Sequence, residues 1–323
     1  LLPNDPNFSN LWGLNNVGQT GGTPDADIDA PEVWDLQTGS NGVLIAVIDT
    51  GVDYNHPDLS ANMWTNPNEI LNNGIDDDGN GFIDDVKGWD FSNNDNDPFD
   101  DHGHGTHVSG TIGAIGNNSV GVVGVNWTSR IMALKFLDSA GSGSSDNGIK
   151  ALQYAADMGA KVSSNSWGSP GQYKALEDAI KYEHDRGMVT VIAAGNENAD
   201  ALDFSPASSD YAITIAASDS NDLKASFSNW GEKIDVAAPG VDILSTRASN
   251  NPLCIASITV GTNYCRLSGT SMATPHVAGL AALLLAKNPT LTNEEIRQII
   301  RKGAADLGSA GKDKDFGYGR IGA

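Results

Sequence analysis

The chain has 323 residues, 39% of them hydrophobic and 19% charged, with 37 Gly. That is enough to bury a large core, and it excludes a disordered, collagen-like or coiled-coil chain. The net charge of −22 disfavours nucleic acid and anionic lipid as partners, and no apolar run reaches the ~18 residues of a membrane span.

The chain opens LLPNDPNF, without Met or a signal peptide, as a processed or trimmed product would. Residues 43–48 (VLIAVI) form a continuous apolar run of strand length that leads into Asp49-Thr50-Gly51. Runs 131–137, 161–166, 188–194 and 212–217 have the same character, which suits strands covered on both faces of a parallel sheet. Helical stretches lie between them. One begins at His104. Another covers 147–159, with Ile149, Leu152, Tyr154 and Met158 on its apolar stripe, and a third covers 173–186, closed by Gly187. Residues 271–287 are apolar almost all round and so belong at the centre. Residues 293–302 begin Asn-Glu-Glu, with acid at the positive end of the helix dipole. No repeat or interdomain linker interrupts the pattern. The expectation is a single α/β domain over 1–323, with a doubly wound, mostly parallel sheet flanked by helices. Ligands should bind at the carboxyl ends of the strands.

The acid is uneven. Between residues 72 and 101 there are ten Asp and one Lys, which accounts for −9 of the −22. A solvated acidic loop is one reading of segment 66–101; bound cations are the other, since so many carboxylates repel one another when close. Within it, 76–84 (DDDGNGFID) matches the first half of an EF-hand loop. Asp76, Asp78 and Asn80 fall at ligand spacing, Gly81 at the turn, and Phe82 supplies a carbonyl. Lys87 stands where the closing Glu should be, so the pattern is a partial EF-like site that Asp84 or Asp85 could complete. Cys254 and Cys265 are the only cysteines, a disulfide in a secreted chain or two thiols in a cytosolic one.

Three segments carry chemistry: Asp49 after an apolar strand, His104 in HGHGTHVSG, and Ser271 in SGTSMATPHVAG, each of the last two at a helix start. A carboxylate can orient an imidazole, which can take the serine proton and return it to a leaving group. Singly, each has an ordinary structural explanation; together, in the order Asp, His, Ser, they do not. The order differs from the Ser, Asp, His order of α/β-hydrolases. His102, His104 and His107 could suggest zinc, but the H-E-x-x-H pattern is absent.

On these motifs the chain resembles the subtilisin-like serine proteases, and particularly their calcium-rich, thermitase-like branch. The resemblance implies that Asp49 orients, His104 acts as base and acid, and Ser271 is the nucleophile. It implies that Asn196, after the run Ala193-Ala194-Gly195, donates to the oxyanion with the Ser271 backbone N–H. Ser166-Trp167-Gly168 and Ala193-Ala194-Gly195 would form the walls that pair with an extended peptide and enclose the side chain before the cut bond. Trp167 also suits a core position, and Asp203 could favour a basic substrate residue. The resemblance further implies calcium at two or three structural sites. One joins Asp5 and Asp58 to the loop of Ile115, Asn118, Val120 and Val122, tying down the amino terminus. A second uses Asp90, Asn93, Asp95 and Asp97. The EF-like stretch is the third. The Cys254–Cys265 insert over 248–266 is expected to border the cleft. The implied protein is a secreted, monomeric endopeptidase matured by loss of a propeptide. A catalytically inactive calcium- or peptide-binding relative and an ester-directed hydrolase are the alternatives.

Overall fold

The computed structural model describes residues 1–249 and 251–323. A short helix α1 (Ala30–Trp34) precedes strand β1 (Gly39–Asp49), followed by β2 (Gly88–Asp90), α2 (His104–Gly113), β3 (Thr128–Lys135), α3 (Ser145–Asp157) and β4 (Val162–Asn165). Next come β5 (Ser169–Pro170), α4 (Lys174–Asp185), β6 (Val189–Ala193), β7 (Phe204–Ser205), β8 (Ile213–Ser218) and β9 (Val236–Pro239). The hairpin strands β10 (Ile243–Thr246), β11 (Thr259–Val260) and β12 (Tyr264–Leu267) lead to α5 (Thr270–Lys287) and α6 (Asn293–Gly303).

Seven strands form one parallel sheet in the order β2-β3-β1-β4-β6-β8-β9. The doubly wound α/β fold is therefore the one expected. The chain extends the sheet in one direction through β3 and β2, and in the other through β4 to β9. The switch point lies beside β1, where the carboxyl ends of neighbouring strands leave a crevice.

Alternation along β1 sorts its side chains between two cores. Ile45 and Val47 pack with Val108 and Ile112 of α2 and Val277 of α5, whereas Ala46 and Ile48 pack with Leu152 of α3 and Ile180 of α4. Each of these fully buried Val, Leu and Ile side chains contributes about 1.5–3 kcal/mol. Helix α5 is buried on nearly every face, as its all-round apolarity required.

Local chemistry sets the helix ends. The Gly187 N–H donates to the His184 carbonyl and the Met188 N–H to the Glu183 carbonyl, with Gly187 at φ 78°. This αL cap needs glycine because a side chain is strained there. Helix α6 starts at Asn293, as expected, with a capping box at Thr292: its hydroxyl accepts from the Glu295 N–H, and the Glu295 carboxylate accepts from the Thr292 N–H. Strands β2 and β9 were not evident from sequence. One is three residues long inside the acidic stretch, and the other is the small-residue run VAAP; neither carries a long apolar signal.

Candidate active site

Asp49 is the last residue of β1 and wholly buried. Its Oδ1 accepts from the Thr50 N–H at 2.7 Å and lies 2.8 Å from His104 Nδ1. That contact fixes the ring at the first turn of α2. Burial pushes the His104 imidazole down, but the charge and hydrogen bond of Asp49, with the charge of Asp100, outweigh it and hold it above its ordinary value of 6.5.

Ser271 occupies the first turn of α5, half-buried. Its hydroxyl donates to the Ser166 carbonyl at 3.1 Å, and the Ser166 hydroxyl returns a bond to the Ser271 carbonyl at 3.0 Å. The nucleophile candidate therefore rests against the wall rather than hydrogen-bonded to His104, although both border one cleft of about 430 Å³. Asn196, exposed beyond the end of β6, also lines it. The Asn196 Oδ1 accepts from the Thr270 N–H at 2.8 Å and the Thr270 hydroxyl at 3.0 Å. Those bonds orient the amide, leaving its NH₂ available as a donor. The Ser271 N–H belongs to the unpaired first turn of α5, so two donors stand at one end of the cleft.

The walls follow from the sheet. Ser166-Trp167-Gly168 continues β4, and Ala193-Ala194-Gly195 ends the adjacent β6; all six residues line the cleft. Trp167 is half-buried, edge-on to Phe136 at 4.7 Å, and so serves both as packing and as wall. Leu137, Gly141, Ser142 and Gly143 also line the cleft, a contribution that no motif announced. Asp203 is absent from the lining, while Glu197 is present, with its carboxylate held by Asn229 at 2.9 Å. His102 lines the same cleft, 6.4 Å ring to ring from His104.

Asp100 is the residue that sequence reasoning missed. It is fully buried and accepts five hydrogen bonds: from the Thr50 hydroxyl, the His102, Gly103 and Thr106 N–H groups and the Thr106 hydroxyl. It thereby caps α2 from outside, where Gly103 offers no side chain. An Asp shortly before a helix start is a capping signal, here hidden among acids taken as a group. The hairpin clamps the next turn: the Thr246 and Ser245 hydroxyls donate to the carbonyls of Thr106 and His107, each at 2.7 Å. His107 is buried, with Nε2 at 3.0 Å from the Ile243 carbonyl and 3.1 Å from that of Cys265; burial first, then the neighbouring His104 charge, hold it down to about 3. His107 is thus a neutral structural group.

The expected cation ligands divide. Asp5 and Asp58 meet at the 115–122 loop. Asp5 accepts from the Asn117 N–H at 2.7 Å, and Asp58 accepts from Asn118 Nδ2 at 2.8 Å and from the Val122 N–H at 2.9 Å. The Ile115 N–H donates to the Asp58 carbonyl and the Val120 N–H to Asn118 Oδ1. Burial chiefly, with the Asp5 charge, pushes Asp58 up to about 6. In the EF-like stretch, carboxylate oxygens of Glu69, Asp78 and Asp85 lie within 4.8 Å of one another. Glu69 was not foreseen, since it lies outside the loop pattern. Asp76 accepts from the Asn80 and Gly81 N–H groups, and Asp84 from those of Asn73 and Gly74, so both bind their own turns. Asn80 donates through Nδ2 to Asp85, and the Phe82 ring packs on Trp89, Phe91 and Tyr154. Asp90 and Asn93 share a turn, Asp90 and Asp95 pair through their backbones, and Asp97 accepts from the Tyr54 hydroxyl. Cys254 and Cys265 meet at bonding distance, with Cα atoms 6.0 Å apart. Their loop packs on the start of α2, where a Cβ on Gly103 would meet the Asn251 side chain, but none of its described residues lines the cleft.

Residues 40–319 match the model of the subtilase family. The chain is 39% identical to thermitase of Thermoactinomyces vulgaris over 96% of its own length and 94% of that protein's. It is 43% identical to a thermophilic serine proteinase of a Bacillus species over 89% of its length, spanning 62% of that relative. It spans 31% of a cell wall-associated protease of Bacillus subtilis, at 36% identity. Among solved structures it superposes on proteases from Pseudoalteromonas arctica with a TM-score of 0.79, at 30% identity over 99% of this chain and 97% of that one. A cold-adapted subtilisin-like serine proteinase gives 0.68 at 32% identity, with 93% of each chain covered. The chain belongs to the subtilase family and is thermitase-like within it.

Proposed function

We propose that this protein is a secreted, calcium-stabilised serine endopeptidase. The observation that carries the reading is the Asp49–His104 contact at 2.8 Å opening onto the cleft that Ser271 and Asn196 share. A turn of the Ser271 hydroxyl away from the Ser166 carbonyl presents it to His104, which takes its proton as the oxygen attacks the peptide carbonyl. Asp49 holds the imidazole and stabilises its charged form. The Asn196 amide and the Ser271 N–H receive the developing oxyanion. His104 then protonates the leaving amine, and water hydrolyses the acyl-enzyme. Ser166-Trp167-Gly168 receives the substrate as an added strand, and the small walls of Ala193-Ala194-Gly195 favour a large apolar side chain before the cut bond.

Calcium serves structure. Asp5, Asp58 and Asn118, with the carbonyls of Ile115, Val120 and Val122, supply the oxygen donors that this hard cation takes, and the raised Asp58 marks carboxylates in need of a counter-charge. Glu69, Asp78 and Asp85 are the proposed carboxylate donors of a second site. The contact of Cys254 with Cys265 supports a disulfide and, with it, an oxidising compartment. Among the described residues no helix is long and apolar enough to cross a membrane. Removal of a propeptide and a monomeric state are part of this reading, with the family likeness as their support.

A serine-directed fluorophosphonate should label the wild type and not Ser271→Ala, with casein cleaved only by the wild type. Labelling of both proteins overturns the nucleophile assignment. Labelling with ester turnover but intact casein favours the ester hydrolase, and no labelling of either favours the inactive relative.

A further inference from the structure

Of the four acidic side chains on helix α4, none lines the cleft and one is buried. Glu183 is fully buried, facing the seam between β4 and β6. Its Oε2 accepts from the Ser163 hydroxyl at 2.7 Å and the Thr190 hydroxyl at 2.6 Å, while Oε1 meets no donor among the described residues. Ser163 Oγ itself accepts from Asn165 Nδ2 at 3.1 Å, which commits the Ser163 proton to Glu183. Thr190 has no such commitment, so its hydroxyl can turn. A protonated Glu183 can donate from Oε2 to Thr190 Oγ1 and keep both contacts. The ionised form keeps them too, but its charge lacks a counter-ion.

Among the described residues, no cation comes from the surrounding elements. Strands β4 and β6, VSSN and VTVIA, hold no ionisable residue. On α4, Lys174 and Lys181 pair with Asp178 and Asp185, and His184 contacts Glu294. On α3, Tyr154 bonds Asp85, Asp157 bonds Tyr182, and Asp146 and Lys150 are exposed. On α6, Arg297 and Arg301 pair with Asp235, and on α5 His276 bonds the Met272 carbonyl. A buried carboxylate so placed is disfavoured relative to its neutral acid.

We propose that Glu183 is a buried proton-binding element that weakens the β4–β6 seam, and with it the fold, as the medium passes from acid to neutral. Burial pushes this carboxyl from 4.5 up to about 7, against the opposing pull of the two hydroxyls. Below the unfolded value both states hold the proton, and the stabilisation is complete. Between the two values only the folded state holds it, so stability falls as pH rises, and the loss is complete above the folded value. The seam lies beneath Ser166 and Ala194, so the strands that carry the cleft walls are the ones affected.

The test compares denaturant unfolding of sulfonylated wild type and Glu183→Gln at fixed calcium from pH 5 to 8.5. The folded-to-unfolded ratio of the variant, relative to wild type, should rise by roughly 100-fold across that range. Glu183→Leu should show the same pH trend from a different baseline, which covers the case in which the amide packs poorly. In the wild type, unfolding near pH 6 should release about one more proton than in either variant. A difference that stays constant with pH, or equal proton release, overturns the proposal. Both readouts concern the fold, so they are independent of the cleft's catalytic assignment.

Discussion

The cleft and the acidic segment 66–101 are both rich in polar side chains, but they are built differently. In the cleft, Asp49, Ser166 and Ala194 stand at or just past the ends of adjacent strands, and the sheet register sets their spacing. In the acidic segment the carboxylates mostly bind nearby backbone N–H groups, as Asp76, Asp84 and Asp90 do. The first arrangement is fixed by the core, and the second depends on turns and on whatever charge neutralises it. Changes in the cleft should therefore alter rate with little effect on melting, and changes in the acidic segment the reverse.

The sharpest separation comes from Asn196→Ala. It removes the proposed oxyanion donor and should lower kcat by about 10²–10³, a magnitude carried over from subtilisin, with KM and melting temperature nearly unchanged. A comparable loss of melting temperature would place Asn196 among the structural residues instead. Chelation of calcium tests the other region. At calcium about 100 times its dissociation constant, a single site stabilises by about 2.7 kcal/mol, which EGTA should remove from thermal unfolding of the sulfonylated enzyme. Because Asp58 is raised to about 6, calcium should also bind more weakly as pH falls through that value, since protonation would remove a proposed ligand. Asp58→Asn should reduce the EGTA effect, and an unchanged effect would remove Asp58 from the ligand set.

The smallest effect is expected at the boundary. Asp100 lies in the acidic segment yet serves α2 and His104. Asp100→Asn should lower kcat/KM about tenfold, or about 1.4 kcal/mol, through the loosened helix start. With His104 as the proposed base, activity should need its neutral form and be lost as pH falls through that residue's raised value. Removing the Asp100 charge should move this acid limb to lower pH. A stability loss with an unmoved limb would leave Asp100 as a cap alone.

These outcomes also explain what the sequence could disclose. The long apolar runs gave β1, β3, β4, β6 and β8, because strands covered on both faces need little else. The Asp49, His104 and Ser271 motifs were legible because each is short and continuous. Glu69 was not, since it reaches Asp78 and Asp85 from outside the loop pattern, and its place depends on the folded turn. Asp100 went unnoticed because its function lies in the backbone groups it receives, which composition does not record. The 141–143 wall had no motif because glycine and serine there present backbone more than side chain.

Helix α5 carries the nucleophile candidate at its head and passes through the interior with almost no free surface. A substitution along its length disturbs neighbours on every side, so inheritance should tolerate few of them. Adaptation to new diets of protein would then be written in the surface loops around the crevice, while the helix itself stays nearly still across descendants.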